Sequence, residues 1–254
     1  MMLNEQEIEN MLSSSGFGYN KEYIGDSIPK NKLNNAVITM NVPKDEKIVA
    51  LYDDTLFGSG KDGFCIGCKA VYFRPYCEKP NAIFFDNLPS MDITMSNHTL
   101  KVEDNDTVIL FKFGNADKIE SFLLRIQSKL IEQSMKEELI RKNLNINSIL
   151  MKQNNGEYDQ VTNELDELEQ YFIVLTEQEQ IEFYKCKVNN LLALSEEKAC
   201  MEVVNSMKDQ KWWGSVSEFN KQVRNQCFIL QLKKNKPLYD VLLHSLKSRL
   251  DELL

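Results

Sequence analysis

Apolar and polar positions along this chain change their spacing once, near residue 115, and the two spacings predict two kinds of structure. From Ile48 the pattern alternates: Val49, Leu51 and Asp53 interleave with Ala50, Tyr52 and Asp54, as in a strand whose successive side chains point to opposite faces. The loop Gly58-Ser59-Gly60-Lys61-Asp62-Gly63 interrupts it with residues that accept positive φ. Phe64 and Ile66 then share a face, Gly67 to Lys69 turn the chain, and Val71 to Arg74 run back with β-branched and aromatic residues. Further short runs follow at Asn81–Phe85, Met91–Ser96, Thr99–Glu103 and Val108–Phe113, separated by turn formers at Asn87–Ser90, Asn97-His98 and Asp104-Asn105-Asp106. About seven antiparallel strands are expected. A helix starting near Asn115 or Asp117 follows, because Ile119, Phe122, Leu123, Ile126 and Leu130 recur at three- and four-residue intervals.

Beyond Leu130 the periodicity is helical throughout. Tyr158, Val161, Leu165, Leu168 and Phe172 form one stripe. Thr176 with Glu179 reads as a capping box ahead of Ile181, Tyr184, Val188 and Leu191, and Ser215 with Glu218 repeats it ahead of Phe219, Val223, Cys227 and Leu230. Pro237 opens a further stripe through Tyr239, Leu242, Leu243, Leu246 and Leu250. Short polar links such as Gln153–Gly156 and Lys233–Lys236 imply antiparallel neighbours. At the other end, Ile8, Met11 and Leu12 predict a short helix before Ser13-Ser14-Ser15-Gly16, and Gly18 to Asn35 read as mostly loop. The expected class is therefore α+β: an N-terminal helix and loop over 1–35, a β-rich domain with its closing helix over 36–150, and an α-helical domain over 151–254.

Seven short antiparallel strands followed by one amphipathic helix is the order of the pleckstrin-homology (PH) superfold, and the segment EKIVALYDDTLFGSGKDGFCIGCKAVYFR resembles bacterial PH-like and GRAM-like domains. In many such domains a Thr-Asp-Lys turn stands where this chain has Gly67-Cys68-Lys69, so Lys69 alone matches there. The resemblance covers roughly residues 36–130. It implies a bent seven-stranded sheet or barrel plugged by the helix, in a bacterial or phage protein. The two capping boxes, 39 residues apart, make the helical region weakly similar to tetratricopeptide-type arrays, without their usual repeat residues.

Charge and composition narrow the function. The formal net charge of −8 is shared between residues 1–130, with 14 basic and 18 acidic groups, and the rest, with 16 and 20. That balance argues against a broad nucleic-acid surface. The start, MMLNEQEIENML, lacks the basic and apolar runs of a signal peptide, and no later segment reaches bilayer-spanning length, so a cytoplasmic protein is expected. In a reducing compartment the six cysteines read as small buried hydrophobes.

Several arrangements invite chemistry. Cys65-x-x-Cys68 with Cys77 and a borrowed His98 could pinch zinc, but residues three apart on a strand point to opposite faces, which favours plain thiols and no metal. Gly58-Ser59-Gly60-Lys61 looks like the end of a phosphate-binding loop, yet Thr55 replaces the first glycine and Asp62 the Ser or Thr that would hold magnesium. No cofactor is therefore expected. Lys61, Lys69 and Arg74 are the candidate cations for an anionic ligand, interrupted by Asp53, Asp54 and Asp62 and so short of the dense basic cup that phosphoinositide-binding PH domains resemble one another in. Neither His98 nor His244 has an evident nucleophile or acid partner, and Glu164, Asp166, Glu167 and Glu169 fall off the apolar face of their helix. Trp212 and Trp213 cannot both face one core: either one is buried and the other lies across the surface, or one is a partner anchor. The expected function is non-enzymatic binding or scaffolding through protein–protein contact, with anionic-membrane association through Lys61, Lys69 and Arg74 as the alternative.

Overall fold

The structure, a computed structural model, describes residues 3–235, which divide into two compact units at Gln133 and Ser134. The class is α+β, with two antiparallel sheets in the first unit and helices in the second.

In the first unit, helix α1 (Glu5–Ser14) is capped reciprocally: Asn4 Oδ1 accepts from Glu7 N at 2.9 Å, and Glu7 Oε2 accepts from Asn4 N at 3.2 Å. It buries Ile8 and Leu12, four residues apart on one face. The next stretch departs from the loop expected over Gly18–Asn35. It forms strand β1 (Glu22–Ile24), a 3-10 turn (Gly25–Ser27) and helix α2 (Lys30–Thr39). Three residues are too few for alternation to show, and β1 exists by pairing antiparallel with its neighbour β2 (Ile48–Asp53). Helix α2 starts after Pro29 with no side-chain cap and fully buries only Ala36 within its length, so its apolar stripe is too thin to read.

The remaining strands fall where alternation and turn residues predict them: β3 (Gly63–Gly67), β4 (Ala70–Arg74), β5 (Asn81–Phe84), β6 (Asp92–Ser96), β7 (Thr99–Glu103) and β8 (Val108–Phe111). The first five form one sheet in sequential order and the last three another. The β6–β7 hairpin turns on Asn97 and His98, both at positive φ, the two-residue loop whose twist suits antiparallel strands.

Period-two geometry explains why β3 and β4 are buried on both faces. Phe64, Ile66, Val71 and Phe73 point into the main core with Leu100, Val102, Ile109 and Phe111 of the smaller sheet. The same core takes Ile119, Phe122, Leu123 and Ile126 from α3 (Ala116–Arg141), the helix expected after the strands. Cys65, Ala70 and Tyr72 point the other way and pack with Ala36 and Met40, so α2 covers the outer face of the larger sheet.

The second unit holds α4 (Ile146–Asn154), α5 (Tyr158–Glu169), α6 (Glu177–Ala193), α7 (Glu197–Ser206) and α8 (Ser217–Lys234). The Thr176–Glu179 capping box forms at α6. The Ser215–Glu218 box does not: Ser215 Oγ donates to Trp212 O at 2.6 Å within a 3-10 turn (Trp213–Val216), and α8 opens at Ser217 without a side-chain cap. The hydroxyl is drawn to the carbonyl of the preceding turn, the local side-chain-to-backbone bond that competes with capping. The helix expected after Pro237, and His244 on it, lie outside the described residues.

Candidate functional site

The loop joining β2 to β3, residues 54–62, is where polar construction and apolar exposure coincide. Its base is Asp53, the last residue of β2, whose side chain is wholly buried. Oδ1 accepts from Thr55 N and Gly60 N, each at 3.1 Å, and from the Thr55 hydroxyl, while Oδ2 accepts from Lys32 Nζ at 2.7 Å. Burying a carboxylate is costly, and hydrogen bonds to both of its oxygens offset that cost here. Burial alone would push its carboxyl upward, but the hydrogen bonds from Lys32, Thr55 and Gly60 outweigh that and hold it below the ordinary aspartate value. Lys32 is raised in turn, chiefly by its hydrogen bond to Asp53 and then by the one it donates to Tyr23 Oη at 3.0 Å.

Helix α2 supplies three braces at helical spacing. Besides Lys32, Asn35 Nδ2 donates to Ser59 O at 2.7 Å and Thr39 Oγ1 donates to Lys61 O at 2.8 Å, so one helix face reads out the loop backbone. Lys21 Nζ adds a bond to Thr55 O at 2.9 Å, and Ser59 N donates to Thr55 Oγ1 at 2.7 Å. Gly60, at φ +72°, lies so close to α2 that a Cβ there would stand 2.8 Å from Lys32 O and 2.9 Å from its Cα. The glycines that suggested a phosphate cradle therefore let the loop lie down on a helix.

What this frame holds outward is apolar. Leu56 and Phe57, in the turn closed by Gly58 N to Thr55 O, are 84% and 94% exposed, the two most exposed large apolar side chains among the described residues. With Tyr76, 79% exposed just after β4, they wall a cleft of about 520 Å³ whose polar lining includes Asp54, Lys61 and Asp62. Leaving a leucine and a phenylalanine in water forfeits about 1.5–3 kcal/mol each. Singly exposed apolar residues need no explanation, but neighbouring ones on a cross-braced loop do.

The three candidate cations do not form one group. Lys61 lines this cleft, and Arg74 is at the same end of the hairpin, since Gly63 pairs with Arg74. Arg74 Nε lies 3.6 Å from Asp62 Oδ1 and donates to Glu78 O at 3.4 Å. Lys69 sits at the β3–β4 turn, the opposite end of β3, where Nζ lies 2.7 Å from Asp45 Oδ2. Two of the three are thus already engaged by carboxylates.

In the second unit Trp212 is buried, its Nε1 donating to Gln180 Oε1 at 3.0 Å, while Trp213 is partly exposed and stacks edge-on to Tyr184 at 6.1 Å. Trp213 also borders a shallow cleft of about 270 Å³ with Asn220, Lys221 and Arg224. The acidic run on α5 is tied up by lysines: Glu164 pairs with Lys152, Glu167 with Lys142, and Asp166 and Glu169 with Lys187.

Cys65 packs beside α2, Cys68 in the main core, and Cys77 is exposed; among the described residues no three His, Cys, Asp or Glu side chains are arranged to hold a metal. His98 is exposed in its turn. Among the described residues no helix is long and apolar enough to cross a membrane. Sequence reasoning missed Leu56, Phe57, Tyr76 and Lys32. The visible signal was an apolar pair set between Thr55 and a Gly-Ser-Gly run, where a solvated loop would carry polar residues. Comparison with protein-family models, with curated proteins and with solved structures returned no match to the chain.

Proposed function

We propose that the chain is a non-enzymatic binding or scaffolding module of the cytoplasm, that its first unit is PH-like, and that the β2–β3 loop is the surface with which it engages a protein partner. The PH-like reading is supported by strand order: β2 to β5 are consecutive in one antiparallel sheet, β6 to β8 in a second, and α3 follows β8 directly. Strand β1 is an addition at the edge of that arrangement. The cytoplasmic reading is supported by six cysteines that all stand as free thiols, five of them buried.

The observation that carries the binding reading is the pairing of Leu56 and Phe57 in solvent with the saturated Asp53 beneath them. A loop held by a carboxylate, three α2 side chains and a close glycine contact loses little conformational entropy on association, which is how exposed apolar side chains become productive anchors. The polar groups at the base of the loop are spent on its own shape: Asp53 is used up by its donors, and the Thr55 hydroxyl both donates to Asp53 and accepts from Ser59 N. Protein contact is favoured over anionic lipid because Lys69 and Arg74 are each paired with carboxylates, leaving Lys61 to act almost alone.

The test is affinity capture from a lysate of the native host with three baits: the unmodified chain, a Leu56→Ser/Phe57→Ser double variant and Trp213→Ala. The expected result is a protein held by the first and third baits and lost by the second. Identical captures by all three, or turnover of any substrate that depends on a loop side chain, would overturn the reading.

A further inference from the structure

The chemistry of the loop cleft specifies more than an apolar partner. Its walls are Leu56, Phe57 and Tyr76, so two of the three are aromatic. Its acidic groups are Asp54 and Asp62. Asp54 is exposed and accepts a hydrogen bond from Tyr52 Oη at 3.1 Å, and among the described residues no cation lies within ion-pair distance of it. Asp62 is mostly buried and paired with Arg74, whose Nε lies 3.6 Å away, so Asp54 is the carboxylate left to a ligand. Aromatic faces beside an uncompensated carboxylate attract a cation doubly, through the ring quadrupole and through the formal charge. The leucine wall suits an aliphatic stem.

We infer that this cleft takes the cationic side chain of a basic protein segment, a lysine or arginine whose stem lies along Leu56, whose head group meets the faces of Phe57 and Tyr76, and whose charge is neutralised by Asp54. The inference rests on the reading of the loop as a protein-binding surface and names the chemistry of the partner. Charge complementarity supports it twice: locally through Asp54, and globally through a net charge of −8, which steers basic segments toward the chain. An anionic bilayer meets like charge at Asp54. Lys61 is the one cation lining the cleft, and its presence makes the sign of the ligand measurable. If the ligand is cationic, removing Lys61 relieves repulsion; if it is an anionic lipid, removal costs affinity.

The experiment titrates the full chain against a fluorescein-labelled peptide of alternating lysine and leucine, the same peptide with glutamate for lysine, and vesicles of phosphatidylcholine with phosphatidylserine. The basic peptide is expected to bind more weakly as salt rises, and the acidic peptide and the vesicles not to bind. Phe57→Ala and Asp54→Asn should each weaken the basic peptide by about fivefold or more, and Lys61→Ala should tighten it about twofold to fivefold. Both weakening variants alter exposed side chains, and an unchanged circular dichroism melt verifies their folding. Peptide binding indifferent to Phe57 and Asp54, weakening by Lys61→Ala, or vesicle binding in place of peptide binding overturns the inference. If the basic peptide fails to bind while Leu56→Ser/Phe57→Ser still loses a host protein, the cation inference falls and the binding-module reading stands.

Discussion

The two ends of strand β3 are built from the same ingredients, a buried carboxylate and a nearby lysine, and they use them differently. At the β2–β3 end the carboxylate of Asp53 is saturated by loop backbone and hydroxyl donors, and its lysine, Lys32, reaches in from α2. At the β3–β4 end Glu46, equally buried, gives one oxygen to Lys69 N at 2.9 Å, and the other makes no hydrogen bond while Lys69 Nζ stays 4.0 Å away. Gly67 makes room for it, since a Cβ there would stand 2.0 Å from Glu46 Oε1. The first end fixes a nine-residue loop from beneath and leaves its outer surface free to be apolar; the second closes a tight turn and sends its lysine outward to Asp45. The lesson is that a lysine on a neighbouring helix can fix a loop without appearing on its surface, whereas a lysine within the turn cannot.

The sharpest way to break that contrast is Asp53→Ala. It strands the Lys32 ammonium together with the Thr55 and Gly60 amides, and a loss of about 3 kcal/mol is expected in the denaturant unfolding of the first unit. A loss below about 1 kcal/mol would mean that the loop is not held from beneath. The same group sets an acid limit. Because the folded state depresses its pKa, the stability it contributes is complete above the ordinary value of 3.8 and is lost as pH falls below it. Asp53→Asn should flatten that acid limb, read as the pH dependence of the denaturant midpoint. Next in size is Gly60→Ala, with positive φ and a backbone clash against Lys32, expected to cost about 2 kcal/mol. Gly58→Ala shares the positive φ but meets first the flexible end of Lys32, at 3.2 Å, so about 1 kcal/mol is expected.

These effects also mark where the sequence was readable. The strands from Ile48 to Phe111 are legible because β-branched and aromatic runs between turn residues are local properties; β7 and β8 also alternate in burial, whereas β3 and β4 are buried on both faces. The stripe of α3 and the Thr176 cap are local too. Strand β1 and helix α2 are not legible, because each depends on a partner elsewhere: β1 on the edge of β2, α2 on the outer face of β3 and β4. The candidate site inherits that blindness. Its brace joins Lys32 to Asp53 across 21 residues, from a stretch that reads as loop, and without it Leu56 and Phe57 are simply two more apolar letters. Asp53 itself reads as an acid interrupting a basic group until burial reveals its donors.

At the turn end, Glu46→Ala removes a single backbone hydrogen bond in a buried site, and about 1 kcal/mol is expected, clearly less than Asp53→Ala. Glu46→Gln, which keeps an acceptor for Lys69 N, should recover most of that loss in the same unfolding measurement. Equal losses for Glu46→Ala and Asp53→Ala would erase the distinction between the two ends.

The smallest expected effect on stability is the most telling. Leu56→Ser/Phe57→Ser alters side chains that project into solvent from a loop whose frame lies entirely in other residues, so the unfolding midpoint should move by no more than about 0.5 kcal/mol equivalent. Stabilisation is as informative as no change, because a serine pair would relieve the exposed apolar surface. A substantial destabilisation, above about 1 kcal/mol, would show that Leu56 and Phe57 pack on the fold in solution and are core residues of the loop, and the presentation argument would fail there. Near-neutral stability combined with lost partner capture is the one outcome in which the polar frame and the apolar tip separate, the first carrying the fold and the second the contact.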